Sequence, residues 1–139
     1  MKFNYIVSFI FFVIAYLIGV KKMYFLISGY NTSSKAEKEK VNIDRLAKTM
    51  SIYSLIIAIL ELLLAFLYQM GFKWSLEVSI YSMIIIILIM IIHAQKFDKK
   101  NFNEDGTKNI NYKITVGLTS CILIVAMIIV IVAFNIKKI

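Results

Sequence analysis

The sequence predicts an all-α integral membrane protein: four transmembrane helices in an antiparallel bundle, with one short amphipathic cytoplasmic helix beside them. Three observations carry that expectation. Hydrophobic residues fill 60% of the 139 positions and charged ones only 17%, a balance from which no soluble surface can be built. Four stretches are nearly free of charge and long enough to cross about 30 Å of hydrocarbon: residues 3–20, 51–70, 75–92 and 114–136. Proline is absent, so nothing forces a span to break or kink, which argues against the discontinuous helices of transporters. The chain reads as one membrane domain over 1–139, with an elbow and amphipathic helix in 21–50 and a second loop in 93–113.

Taken in order, the first span runs from Phe3 into Lys21 and Lys22 without a small-x-small cleavage site, so it is expected to be retained. Spans two and three are joined by Gln69-Met70-Gly71-Phe72-Lys73, where Gly71 suits a left-handed helix cap; they form a tight antiparallel hairpin. The fourth holds the single cysteine, Cys121, so an intramolecular disulfide is excluded and a metal or redox site built on cysteine is unsupported. Twelve of the sixteen basic residues lie in 21–50 and 93–113. The positive-inside rule therefore places both segments in the cytoplasm and both termini outside. Phe72 and Trp74 then fall at the outer interface, and Tyr24, Phe25, Tyr30 and Tyr112 at the inner one. The net charge of +8 is a topology signal; it implies the bilayer and anionic lipid headgroups as partners, and no nucleic acid.

Transmembrane helices associate through small and polar residues, and each span carries such a stripe. The stripes are Asn4, Ser8, Ala15 and Gly19; Ser51, Ser54, Ala58, Glu61, Ala65 and Tyr68; Ser75, Ser79, Ser82, Ile86, Ile89 and His93; and Gly117, Cys121, Ile124, Ile128, Ile131 and Asn135. Four helices with one less greasy face each argue for a compact four-helix bundle whose remaining faces touch lipid; a membrane protein partner or a homo-oligomer stays open.

Glu61 falls near the middle of span two, where a charge costs on the order of 3 kcal/mol to place. It must be neutral, paired or hydrated, and Ser54 and Tyr68 on its own stripe offer hydroxyls. Two readings stay open: a proton- or cation-responsive site, and a structural acid bonded within the bundle or across a homodimer. His93 has no second histidine to share a metal and reads as a helix-end residue. Asn103-Glu104-Asp105-Gly106 lacks calcium-loop spacing and reads as a turn. No nucleophile with a base and no phosphate-binding loop is found, so no catalytic residue, metal or cofactor is expected.

The stretch 26–40, LISGYNTSSKAEKEK, breaks the apolar pattern. Gly29-Tyr30-Asn31-Thr32 favours a turn that exposes Tyr30, Asn31 and Thr32 at the inner interface. Ser34 and Glu37 have capping-box spacing and are expected to start the amphipathic helix, with Ile43, Leu46, Ala47 and Met50 on one face. The run Leu26 to Thr32, with Ser34-Lys35, Glu37-Lys38 and Asp44 to Lys48, resembles the signature of a bacterial family of small multispanning membrane proteins, the domain of unknown function numbered 3784. The resemblance covers roughly the first half of the chain. The Gly-Tyr-x-Thr turn is also similar, over a short stretch, to SdpI-type immunity proteins, which protect bacteria from a membrane-attacking toxin; Asn31 stands where that pattern has a basic residue.

The expected function is that of a non-enzymatic membrane interaction protein, an immunity or accessory factor binding a partner protein, peptide toxin or lipid. Its candidate binding residues are Gly29, Tyr30, Asn31, Thr32, Ser54, Glu61 and Tyr68. The alternative is a small proton-coupled exporter that uses Glu61.

Overall fold

The computed structural model describes residues 2–27, 30–103 and 105–136, and among them all side chains but those at 2, 126, 127 and 129–136. Every regular element in the described residues is helical: α1 (Lys2–Gly19), α2 (Lys35–Lys38), α3 (Ile43–Gln69), α4 (Ser75–Ala94) and α5 (Ile110–Ile136), with 3-10 turns at Tyr24–Leu26, Gln95–Phe97 and Lys99–Asn101. α1 packs on α3, α3 on α4, and α4 on α5. α3, and α4 with its extension to Phe97, are long and apolar enough to cross a membrane; the apolar runs Phe3–Gly19 and Ile110–Val125 are shorter.

The amphipathic helix of the elbow is shorter than expected. Ser34 does form its capping box, with the Glu37 amide donating to Ser34 Oγ and the Ser34 amide to Glu37 Oε2, but α2 lasts only four residues. A second cap then intervenes: Asn42 Oδ1 accepts the Arg45 amide at 3.2 Å and restarts the helix. Residues 43–50 are thus the first two turns of α3, with Ala47 buried and Ile43, Leu46 and Met50 half-buried on the expected face.

Small residues let α1 and α3 approach closely, in antiparallel register. Ser8 Oγ donates to the Ala58 carbonyl at 2.7 Å and Ser51 Oγ to the Ala15 carbonyl at 2.8 Å. A Cβ at Gly19 would stand 2.2 Å from Ser51 Oγ. The first two stripes therefore form one contact, while Phe9, Phe12, Ile59 and Leu62 point outward as a surface suited to lipid. The third stripe holds only in part: Ser75 and Ser79 are buried, but Ile89 is exposed.

The fourth stripe faces the wrong way. Gly117, Cys121, Ile124 and Ile128 are exposed; Ile131 and Asn135 have side chains outside the described residues. α5 buries Tyr112 and Thr119 instead, and the Thr119 hydroxyl is satisfied internally by the Thr115 carbonyl at 2.7 Å. A hydroxyl bonded to its own preceding turn sits in an apolar contact without a partner across it, so small-residue spacing did not mark the packed face. Tyr112 is accordingly buried, with its ring against Phe102.

Gly71 caps α3 with φ +100°, as expected, its amide donating to the Tyr68 carbonyl. Lys22 has the same job at the end of α1 but is not a glycine: its φ is +52°. A left-handed lysine costs about 1 kcal/mol, and its ammonium recovers little from Asp44, 3.8 Å away and solvent-exposed. Lys22→Gly should therefore stabilise the protein by up to about 1 kcal/mol; denaturant titration in detergent micelles measures it, and a loss of stability would show that the lysine contact outweighs the strain.

Candidate functional site

Beneath the elbow lies a small apolar core of Ile18, Ile27 and Ala47, against which Tyr24 and Tyr30 pack. Tyr30 is held there rather than freely exposed, because the Lys38 ammonium sits 5.5 Å from its ring centre while donating to the Asn31 carbonyl at 3.3 Å. Asn31 and Thr32 are exposed, as expected. Gly29 lies outside the described residues. Tyr24 donates its hydroxyl to Asp44, and this bond raises the phenol above its ordinary value.

Next to that core is a cavity of about 400 Å³. Its apolar wall is Ile27, Leu46, Met50, Met90 and Ile91, and Tyr30, Asp98 and Lys100 stand among its polar lining. An open basic cleft lined by Lys40, Lys99 and Lys100 adjoins it. The loop after α4 closes the cavity by pairing with the elbow: the Asn42 amide donates to the Phe97 carbonyl and the Lys99 amide to the Lys40 carbonyl, both at 2.9 Å. His93 is fixed nearby, hydrogen-bonded to Tyr53 at 3.2 Å and stacked on Phe97, the helix-end part expected of it. The Gly106 amide donates to the Asn103 carbonyl at 2.9 Å, the bond expected of a turn, and Glu104 lies outside the described residues.

Lys100 Nζ lies 2.6 Å from Glu37 Oε1 and locks the pairing. The hydrogen bond from Lys100, then those from the Ser34 amide and hydroxyl, hold Glu37 well below its ordinary value of 4.5, at about 2. A depressed carboxylate stabilises the fold above its unfolded value and loses that contribution on acidification. The clamp should therefore loosen as pH falls from about 4.5 to about 2. Hydrogen-exchange protection of the Asn42 and Lys99 amides should drop across this window, and Glu37→Gln should make it flat; equal pH dependence in both proteins would refute the link.

The second cluster is at the other end of α3. Glu61 is 1% exposed. Its Oε2 accepts Ser79 Oγ at 2.6 Å and Asn4 Nδ2 at 3.1 Å, and Asn4 Nδ2 also lies 2.7 Å from Ser79 Oγ. One residue from each of α1, α3 and α4 is thus tied together. Glu61 Oε1 and Ser75 Oγ are buried without a partner. Ser54 and Tyr68 do not supply the hydroxyl expected of them, since each stands seven residues away on the same helix, about 10 Å along its axis. Because α3 begins at Ile43, ahead of the apolar stretch 51–70, the acid lies about 27 Å from the start of the helix and about 12 Å from its end. The elbow and Glu61 are separate sites.

The family model described as a domain of unknown function, DUF3784, matches residues 5–98. The chain belongs to the DUF3784 family. No curated protein and no solved structure matches it. The DUF3784 match extends past the first half of the chain, through α4 to Asp98, the residue that faces Val41 across the loop pairing. Both candidate sites therefore draw on matched residues, apart from Asn4 and from Lys99 and Lys100 just beyond the match.

Sequence reasoning placed Asn4, Ser75 and Ser79 on stripes without joining them to Glu61. A signal existed: Glu61 and Ser79 are ten and eight residues on either side of Gly71, so an antiparallel hairpin brings them level. The cavity wall from Met90 and Ile91 had no comparable local sign in this DUF3784 chain.

Proposed function

We propose that this DUF3784 protein is a four-span, non-enzymatic interaction protein of the bacterial cell membrane, an immunity or accessory factor whose elbow cavity binds an anionic amphiphile. The observation that carries the reading is the cavity of about 400 Å³, of ligand-site size, with an apolar wall opening onto a lysine-lined cleft. An acyl chain suits Met50, Met90 and Ile91, and a phosphate headgroup suits Lys40 and Lys99. Helix lengths of about 27 Å for α1 and about 40 Å for α5 support counting them as the other two spans. The concentration of lysine at the elbow end supports a cytoplasmic elbow with both termini outside. The short likeness to SdpI-type proteins supports the immunity role.

Native mass spectrometry of the full chain with phosphatidylglycerol tests the site. The parent should retain lipid, while Met90→Trp, which fills the cavity, and Lys40→Glu with Lys99→Glu, which reverses the cleft, should each lose it. Equal retention in all three sinks the proposal. Deleting the gene should sensitise cells to membrane-active peptides made by related bacteria, and unchanged sensitivity across a panel removes the immunity role. A second reading, a small proton-coupled exporter, is favoured by the unpartnered oxygen of Glu61. It requires substrate-dependent proton flux in liposomes that Glu61→Gln abolishes.

A further inference from the structure

Lys100 belongs to both compartments of the elbow site: it lines the apolar cavity and also the basic cleft beside it. Among the described residues that line the cavity it is the one cation, so a lipid with its chain in the cavity and its phosphate in the cleft meets this ammonium at the junction. The ammonium is already engaged. Lys100 Nζ donates to Glu37 Oε1 at 2.6 Å, and Glu37 itself stands in the wall of the cleft, where its negative charge opposes an incoming anion.

We propose, resting on the lipid reading of the elbow, that Glu37 holds the phosphate's seat on Lys100 while the site is empty, so that a phospholipid enters by exchanging its headgroup for this carboxylate and thereby releases α2 from the loop after α4. Three features make the exchange feasible. Glu37 is held at about 2, so at neutral pH no proton vacates the seat and another anion has to. Neither partner is stranded by the exchange: Glu37 Oε2 keeps the Ser34 amide at 3.0 Å and the Ser34 hydroxyl at 3.2 Å, while Lys100 gains the phosphate. The pair is also half-exposed, with 33% of the lysine side chain and 45% of the glutamate open, so water takes over Oε1, which it could not do for a buried pair. Finally, α2 buries no residue of its own, so once Lys100 lets go its packing does not hold it in place. The backbone pairing of Lys40 and Asn42 with Lys99 and Phe97 remains, and α2 turns about that fixed point.

Titration of the full chain with phosphatidylglycerol, read by native mass spectrometry, tests the exchange. Glu37→Gln leaves an oxygen for the Ser34 cap but removes the competing charge; it should lower the Kd about fivefold, the worth of a well-formed half-exposed ion pair. Glu39→Gln makes the same charge change at an exposed neighbour and should alter the Kd by less than about twofold. Lys100→Gln should weaken binding, and adding Glu37→Gln to it should gain nothing. In the parent, lipid should also speed hydrogen exchange of the Lys38 amide, which bonds the Ser34 carbonyl at 3.0 Å, and in Glu37→Gln that amide should exchange fast without lipid. Equal gains from Glu37→Gln and Glu39→Gln would reduce the effect to net charge, and the same gain in the Lys100→Gln background would reduce it to repulsion across the cleft; either overturns the exchange. So does a Lys38 amide that stays protected when lipid binds. A parent that retains lipid while Glu37→Gln binds it no better removes this inference alone, whereas a parent that retains none removes the lipid reading of the elbow and the exchange with it.

Discussion

Asn4→Leu should destabilise the protein by about 2–3 kcal/mol in a denaturation titration in micelles. Its amide makes two buried contacts, to Glu61 Oε2 and Ser79 Oγ, which bind α1 to both α3 and α4. Leucine has the same number of side-chain heavy atoms but donates nothing, so Glu61 keeps one partner while 1% exposed. The cost should be strongly non-additive. Replacing the whole group, Asn4→Leu with Glu61→Leu and Ser79→Ala, removes the stranded acceptors and should be less destabilising than Asn4→Leu alone, as for other buried polar clusters replaced as a unit. A triple variant weaker than the single one would show that the cluster is held by packing the leucines cannot reproduce.

Gly19→Val should cost about 1–3 kcal/mol through overpacking. Even the first added carbon meets Ser51 Oγ at 2.2 Å and Ser51 Cβ at 2.8 Å. Ser51 has a short side chain whose hydroxyl is committed to the Ala15 carbonyl, so relief requires α1 to move off α3. That motion would open the core of Ile18, Ile27 and Ala47 next to the contact. Ser51→Gly should rescue Gly19→Ala, because it removes both clashing atoms, whereas Ser51→Ala should not. Rescue by both would mean that only the hydroxyl was in the way.

Much of this architecture is legible in the sequence because it is set locally. Gly71, the Ser34–Glu37 box and the α1–α3 stripe each follow from backbone geometry or residue size over a few turns. The misreadings arose where a distant segment decides. Asn42 could cap a new helix because Phe97 and Lys99 come back to hold the chain on either side of it. α5 was misoriented because two rival faces, one with Gly117 and Cys121 and one with Thr115 and Thr119, have equally small residues. The elbow was recognised as a special segment, but its cavity depends on Met90, Ile91 and Lys100, which arrive from more than forty residues away.

The pairing of Lys40–Asn42 with Phe97–Lys99 has a mechanical consequence. It fastens the elbow to the exit of α4, so α1 has its pivot at the fastened end and its greatest sweep at its beginning. Near the tip of that lever stands Asn4, the bolt across Glu61. Whatever loosens the tip of that lever uncovers the acid first, while the elbow stays shut.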